Sequence, residues 1–293
     1  MNLRTKNRLE ATFSLLLFAL VIIAALRYQY YMLNAMAWED ESETIIISKL
    51  LATGGRLYSG VFSQHGPLIF LPGVIIEQFG DFKHQGYRAI IAIGQLIALY
   101  SIYKSPLFNN RVVARFYTGF AATVLLVYMH PYLAHMYMYH SIAGIMMVII
   151  LAQYTLPSII MPEHVNRTGR ITGNILITAL PFAAITYTPA ALLLFIASFR
   201  KEHLSQILIS ASSSAIFNIV FLMLIGSISG YLAIHVYLNI FIYSDMAHVA
   251  LGNFSDISNT IARLMTGNLS EFLISFAIMA SVAKLCSFEA GFP

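Results

Sequence analysis

Residues 38–73 read WEDESETIIISKLLATGGRLYSGVFSQHGPLIFLPG, and this stretch directly follows the first apolar run of the chain. It is the only long segment that mixes carboxylates, glycines, a histidine and a Gly-Pro pair in a chain that is 58% hydrophobic and 10% charged. Carboxylates beside a membrane are costly to desolvate unless another group compensates them, so we expect these acids to have a function. The stretch predicts an active-site loop that the other helices hold at a membrane face.

The composition is that of a membrane protein. A soluble domain carries roughly a quarter charged residues, whereas this chain of 293 residues carries 10% and has a mean hydropathy of +0.74. The predicted fold class is therefore all-α, a polytopic integral membrane protein with a single domain over residues 1–293. The net charge of +4 is typical of cytoplasmic loops, so no nucleic-acid partner is expected.

The N-terminus predicts the orientation of the chain. Arg4, Lys6 and Arg8 precede the apolar run from Ala11 to Ala25. Basic residues mark the cytoplasmic end of a span, so we expect a multi-pass protein of the inner (plasma) membrane with its N-terminus in the cytoplasm. The run is too long for a signal-peptide core and is interpreted as a retained anchor. Residues 35–88 then form a first outer loop.

Two short helices are predicted inside this loop. Glu43 to Ala52 has apolar residues at helical spacing and ends before Gly54-Gly55, which favours a helix lying along the interface. Pro67 to Phe79 is short for a hydrocarbon core of about 30 Å. If this second segment stays outside, seven basic residues fall on the cytoplasmic side, as the positive-inside rule favours. They are Lys104, Arg111, Arg115, Arg167, Arg170, Arg200 and Lys201.

About eight spans are predicted from the apolar runs. After the first span they are Ala89 to Tyr103, Phe116 to Tyr132, Ser141 to Leu156, Ile171 to Ile185, Pro189 to Phe199, Leu204 to Ile225 and Phe272 to Leu285. Residues 227–270 are predicted to form a second outer loop. Its polar residues could complete a cavity with the first loop: His235, Asp245, His248 and Asp256.

An acidic cluster opens the first outer loop: Glu39, Asp40, Glu41 and Glu43. Glycosyl transfer from a phosphate-activated donor needs a carboxylate that takes the proton of the acceptor hydroxyl, and it gains from a metal or cations at the leaving phosphate. Adjacent carboxylates can supply both the general base and ligands for a metal. The alternative is that these acids are solvated and cap the helix that begins near Glu43.

Further motifs carry a resemblance to a known family. After Asp40-Glu41 and a short helix come GGRLY at residues 54–58, HGPL at residues 65–68, and an arginine, Arg88, at the start of GYRAIIAI. In order and spacing, residues 10–105 resemble the C-type superfold of polyprenyl-phosphate-sugar-dependent glycosyltransferases. Protein O-mannosyltransferases and the lipid A aminoarabinose transferase belong to it. Members are usually longer, so the chain is expected to be a truncated or minimal variant.

The resemblance implies specific roles for the acids and for the partners. Asp40 would be the catalytic base, and Glu41 would support it or help to hold a divalent metal. The donor would be a sugar on a polyprenyl phosphate, and the acceptor a lipid, a glycan or a protein. Membrane lipids surround the enzyme.

The resemblance also implies substrate-binding residues. His65 stands where relatives often carry a lysine or another polar residue before Pro-Pro-Leu, although this chain has Gly66-Pro67. Arg56 and Arg88 are candidates for the donor phosphate, since guanidinium geometry suits phosphate. The alternative for both is anchoring to lipid head groups. Tyr58 is expected to pack, with substrate contact as the second interpretation.

Three histidines, His130, His135 and His140, lie in a Tyr- and Met-rich segment on the same predicted face. Their spacing of five residues scatters them around a helix, so one metal site made by this segment alone is not expected. With its aromatic neighbours, His140 could line a sugar or acceptor pocket. The alternative is an interfacial aromatic belt.

Other function classes remain as alternatives. A lipid or sugar transporter or flippase would want ionisable groups within the spans and matching broken helices, and the sequence has few of either. A surface polysaccharide polymerase or ligase would be favoured by several arginines in the second outer loop, which contains Arg263 alone. A non-catalytic membrane subunit is the third alternative. The sequence lacks a Walker A motif and the dinucleotide-binding glycine pattern, which disfavours a nucleotide-dependent enzyme.

Overall fold

The computed structural model describes residues 3–36, 39–128 and 134–243. In these ranges the chain forms helices joined by loops and no strand. The chain divides into two compact units, residues 1–239 and 240–293, and the second is described only at residues 240–243. The predicted span from Phe272 to Leu285 and the second-loop residues Asp245, His248 and Asp256 lie outside the described residues.

The α-helices of the described residues are numbered in chain order. They are α1 Leu3–Met32, α2 Glu39–Ala52, α3 Leu71–Glu77, α4 His84–Tyr103, α5 Arg111–Thr123, α6 Tyr139–Ile150, α7 Leu156–Ile160, α8 Arg167–Ala183, α9 Thr188–Ser198, α10 Leu204–Ile225 and α11 Ile228–Gly230. A 3-10 turn, Pro67–Phe70, leads into α3. Wider π-helical turns extend α5 as Val124–Tyr128, join α6 to α7 as Leu151–Thr155, and follow α11 as Tyr231–Tyr243.

Among the residues that the structure describes, four helical segments are long and apolar enough to cross a membrane. They are Thr12–Met32, His84–Tyr103, Tyr139–Ile160 and Lys201–Ile225. Each has about the 20 residues that a hydrocarbon core requires. Large apolar side chains lie exposed on their outer surfaces, among them Leu16, Leu20 and Leu224. The predicted all-α membrane character is therefore confirmed.

Three other predicted spans coincide with shorter helices. The helix α5 has 13 residues, α8 has 17 and α9 has 11. A straight helix of 11 residues covers only about 16 Å. The structure thus supports a multi-helix membrane protein, and the number of spans stays a prediction.

The helices pack as a chain of neighbours. The helix α10 lies on α8, α8 lies on α6, α6 lies on α4, and α5 lies between α4 and α1. Close approach depends on small residues, as membrane helix packing generally does. A Cβ atom on Gly173 of α8 would lie 2.3 Å from the Tyr154 ring, and one on Gly94 of α4 would lie 2.9 Å from Ile145.

Hydrogen bonds between helices show which helix ends lie together at each of two ends. At one end, which we call the loop end (residues 33–36, 39–66 and 77–88), Gly66 N–H donates to Ala183 O at the end of α8, and Leu57 N–H donates to Ile225 O at the end of α10. At the other end, Arg170 of α8 donates to Gln206 of α10, and Arg200 donates to Ser158 O of α7. We call this the basic end, and six residues define it: Lys104, Arg111, Arg167, Arg170, Arg200 and Lys201.

The first predicted loop helix is longer than expected. The helix α2 begins at Glu39 rather than at Glu43, so the acidic cluster lies in a first helical turn and not in a loop. Thr44 Oγ1 donates to Asp40 O, a contact four residues apart within the helix. Acids at a helix N-terminus are stabilised by the exposed N–H groups and the helix dipole, which explains the earlier start.

The helices α2 and α3 pack tightly on each other at the loop end. Ile47 and Leu51 are buried, whereas Ile46 and Leu50 are exposed, so only half of the predicted apolar face of α2 packs inside. A Cβ atom on Gly73 of α3 would lie 2.4 Å from Ser48 Oγ of α2. The absence of a side chain at Gly73 permits this contact. The predicted helix from Pro67 to Phe79 ends at Glu77.

Candidate active site

A buried ion pair lies at the centre of the loop end. Arg88, in the first turns of α4, donates from Nε to Glu41 Oε1 at 2.8 Å and from Nη2 to Glu41 Oε2 at 2.6 Å. Both side chains are fully buried. Two parallel hydrogen bonds match the planar guanidinium to the carboxylate and fix the orientation of both groups. The pair thus joins α2 to α4.

Arg88 also closes the end of α1. Its Nη1 atom donates to Met32 O at 2.9 Å and to Ala35 O at 2.6 Å, and its Nη2 atom donates to Met36 O at 3.1 Å. The last carbonyls of a helix lack partners within the helix, and a cation there is favourable. One guanidinium therefore satisfies the end of α1 and the Glu41 carboxylate together.

Glu41 has a third partner, the loop before α6. Glu41 Oε1 accepts the Tyr137 N–H at 3.1 Å. The Tyr137 hydroxyl then donates to Ile69 O at 2.5 Å and accepts the Gly73 N–H at 2.8 Å. Burial raises the pKa of the Tyr137 hydroxyl, which keeps it neutral and able to do both. Glu41 thereby links the loop before α6 to the start of α3.

The structure brings Glu41 and Arg88 together, but not as the resemblance implied. Every N–H group of Arg88 has a partner inside the protein, and the residue is fully buried. A phosphate contact by Arg88 would require breaking these bonds. Glu41 is equally committed, so it supports Asp40 through the backbone of α2 and not through its own carboxylate.

Asp40 lies in a different environment from its neighbour. Its residue is exposed, and within the described part of the chain its carboxylate makes no hydrogen bond or ion pair. The negative charge of Asp40 interacts electrostatically with the side chains of His65, Tyr139 and His140. Asp40 also raises the pKa of Glu43, after the larger effect of burial on Glu43. An exposed carboxylate facing histidines and a tyrosine has the features of an available base.

Four rings form a cluster, and the charge of Asp40 reaches three of them, His65, Tyr139 and His140. The His65 ring stacks on Tyr139 with centroids 4.6 Å apart, and Tyr139 meets His140 edge to face at 5.0 Å. Tyr187, just before α9, contacts Tyr139 at 6.4 Å. We call these four residues the ring wall. The sequence placed His65 and His140 near the site, but it did not single out Tyr139 or Tyr187.

His65 is neutral in this setting. Burial lowers the pKa of His65 to about 4, because the charged ring would lose its hydration, and nearby His235 and His140 act in the same direction while Asp40 opposes them. A neutral imidazole at physiological pH can accept or donate one hydrogen bond, but it brings no positive charge to a phosphate.

Hydrogen bonds and packing hold the loop that carries His65 in place. Tyr58, which has a positive φ of 64°, donates from its hydroxyl to His65 O at 2.6 Å. Arg56 Nη2 donates to Gly226 O at 2.8 Å, and the Arg56 residue is otherwise exposed. Tyr58 is buried and packs against Tyr231. The burial of Tyr58 fits the interpretation that this residue packs inside the protein. The exposed Arg56 side chain is accessible to a ligand.

His235 contacts backbone carbonyl groups inside the protein and does not line an open cavity. It is fully buried, with ring nitrogens 3.0 Å from Gln64 O and 3.2 Å from Pro181 O. Asn239 Nδ2 also donates to Gln64 O at 2.8 Å. These contacts hold the residue before His65 against the end of α8. The sequence had left the role of His235 open.

A polar network that the sequence did not reveal lies beside the ion pair. Tyr87 donates to Glu77 Oε1 at 2.6 Å, and Lys49 lies 3.3 Å from the same oxygen. Lys49 also pairs with exposed Asp81, which lowers the pKa of the Asp81 carboxyl. The members lie on α2, on α3 and on α4, so residues far apart in sequence meet only after folding.

The described acids and histidines do not form a set of metal ligands. Among the described residues there is no group of three or more His, Cys, Asp or Glu side chains placed to hold a metal ion. Glu41 binds Arg88 and Tyr137, and the Asp40–Glu41 metal pair stays a prediction. His130 lies outside the described residues, and His135 is buried.

No protein-family model, no curated protein and no solved structure matches this chain. A function for it therefore has to be inferred from its residues and their geometry.

Proposed function

We propose that the chain is a membrane glycosyltransferase that moves a sugar from a polyprenyl-phosphate donor to an acceptor hydroxyl. The observation that carries the proposal is the contrast between Asp40 and Glu41 at the end of the membrane helices. Glu41 is buried and bonded, whereas Asp40 is exposed and its charge acts on three members of the ring wall. A rigid support next to an available carboxylate is what a general base requires.

The reaction divides into a proton transfer and a substitution. Asp40 takes the proton of the acceptor hydroxyl as its oxygen forms a bond to the anomeric carbon of the sugar. The bond between that carbon and the phosphate oxygen breaks, and the electron pair leaves with the polyprenyl phosphate. Asp40 then returns its proton to solvent.

The ring wall suits the sugar of the donor. Aromatic faces pack against the apolar faces of a sugar ring, and the neutral His65 ring can share a hydrogen bond with a hydroxyl. Arg56 is the candidate for the donor phosphate, since it is exposed at the loop end. His140, half-buried beside Tyr139, is the second substrate-binding candidate.

The proposal includes a membrane orientation. Basic residues in the described chain concentrate at the basic end, whereas Asp40, Glu41, Glu43, Glu77 and Asp81 lie at the loop end. By the positive-inside rule, the basic end and the N-terminus face the cytoplasm of the inner membrane, with about eight spans in total. The acceptor is then a lipid, a glycan or a protein reached from the outer face.

The test is sugar transfer in membranes that contain a radiolabelled polyprenyl-phosphate sugar pool. Asp40→Asn should reduce transfer by at least about a hundredfold, the usual size of a general-base contribution. Glu43→Gln is the matched control, because it removes a neighbouring charge on the same helix without removing the proposed base. Equal transfer by Asp40→Asn and the unaltered protein would reject the proposed base. The absence of transfer by the unaltered protein would reject the function.

A further inference from the structure

A second polar cavity lies at the basic end, away from the ring wall. It has a volume of about 90 Å³ and is lined by Arg170, Arg200, His203, Tyr154, Ser158 and Glu202, among others. This volume is far below the roughly 300–1,000 Å³ of sites for drug-sized ligands. The cavity suits a small polar group and excludes a large organic substrate.

The cavity concentrates positive charge. Arg170 donates from Nε to Gln206 Oε1 at 3.1 Å, and Arg200 donates from Nη2 to Ser158 O at 2.6 Å. These bonds hold both side chains at the cavity, and Arg170 Nη1 also donates to Val165 O. Arg200 uses one of its nitrogens in the contacts of the described chain, which leaves other N–H groups of this exposed residue available to a ligand.

The position of the cavity indicates the ligand. It lies where α7 and α9 end and where α8 and α10 begin, and Lys201–Ile225 and Tyr139–Ile160 are long and apolar enough to span a membrane. Basic pockets between membrane helices on the cytoplasmic side are typical binding sites for anionic lipid head groups. Guanidinium groups bind phosphate oxygens through paired, charge-assisted hydrogen bonds.

From these observations we infer that the cavity at the basic end binds a phosphate group, and that an anionic phospholipid supplies it. Arg200 and Arg170 donate to the phosphate oxygens, and the acyl chains lie along the exposed apolar surface of α9 and α10, where Leu193 and Ile209 are exposed. Glu202 lies at the rim and opposes the anion. This inference does not depend on the proposed glycosyltransferase activity.

The test measures binding to the full chain in detergent by native mass spectrometry. Phosphatidylglycerol, phosphatidylcholine and inorganic phosphate are titrated separately. We expect tight binding of phosphatidylglycerol, weak binding of the other two, and a roughly tenfold weaker Kd in Arg200→Gln, the size of one lost charge-assisted bond. Glu202→Gln should bind phosphatidylglycerol more tightly, because a repelling charge is gone.

Lys201→Gln is the matched control, since Lys201 is exposed next to Arg200 but does not line the cavity. An equal loss of binding in Lys201→Gln and Arg200→Gln would show a general surface-charge effect and overturn the site. Displacement of phosphatidylglycerol by an equal concentration of inorganic phosphate would overturn the lipid source. Arg200→Lys keeps the charge but loses the paired bonds, so its affinity for phosphatidylglycerol should lie between those of the unaltered chain and Arg200→Gln. This variant tests the site even if Arg200→Gln fails to fold.

Discussion

At the scale of single residues, two adjacent acids of one helix differ in burial. Successive residues point about 100° apart around a helix axis, so Glu41 turns inward to Arg88 while Asp40 turns outward to solvent. The sequence predicts an acidic cluster, but it does not distinguish a structural acid from an available one. The burial of Glu41 decides this, because a buried carboxylate is costly unless a cation and hydrogen bonds compensate its charge, as Arg88 does here.

His65 makes the stability of the loop end depend on pH. In the folded state its pKa is about 4, whereas an unfolded chain protonates near 6.5. Between these values the unfolded state binds more protons, so the free energy of unfolding falls as pH drops from 6.5 to 4. The loss amounts to about 3 kcal/mol. Thermal unfolding in detergent across this pH range measures it.

His65→Phe is the matching variant. A phenyl ring keeps the stacking on Tyr139 but cannot be protonated, so the variant should lose much of the pH dependence between 6.5 and 4. Exposed His164→Gln is the control and should keep it. A variant curve that overlies the unaltered one would mean that Asp40 and the other charges facing His65, namely His140 and His235, set the pH profile instead.

At the scale of helices, one ion pair connects three of them. Arg88 on α4 holds Glu41 on α2 and the carbonyls that end α1. The sequence predicts each of these helices from its own apolar pattern, because periodicity is a local property. It misplaces the start of α2 by four residues, since the helix begins where the acids are favoured at its N-terminus.

Removal of Arg88 should loosen all three helices. Arg88→Met leaves Glu41 as an uncompensated buried charge, which costs about 3–5 kcal/mol of stability. The double variant with Glu41→Leu should lose less than this, because no charge then remains buried. Thermal unfolding in detergent checks both. Exposed Lys83→Met is the control, and an Arg88→Met protein as stable as Lys83→Met would contradict the role assigned to the pair.

At the scale of the whole molecule, charge divides the two ends of the helices. The basic end carries arginines and lysines that flank α5, α8 and α10, and the loop end carries most of the acids of the described chain. In the proposed orientation, the candidate base and the proposed phosphate cavity would lie on opposite faces of the membrane. A substrate at one end and a lipid at the other would bind independently.

Cysteine labelling tests this division. In a Cys286→Ser background, Lys83→Cys at the loop end should react with an impermeant thiol reagent in intact cells. Lys201→Cys at the basic end should react only after the membrane is permeabilised. Labelling is measured by mass shift on a gel. The reverse pattern would invert the orientation, and labelling of both positions from outside would exclude a bundle that crosses the membrane as predicted.

The amino-acid sequence by itself determined the membrane character, the approximate positions of the longer α-helices in the described chain, and the stretch proposed to hold the site. Apolar content, helical period and breakers such as Gly54-Gly55 act locally, so they can be read without the fold. Only the tertiary structure decided that Glu41 binds Arg88, 47 residues away, that Asp40 stays exposed, and that Tyr139 and Tyr187 join the ring wall. These contacts depend on how the helices pack, because residues distant in sequence become neighbours only when their helices meet.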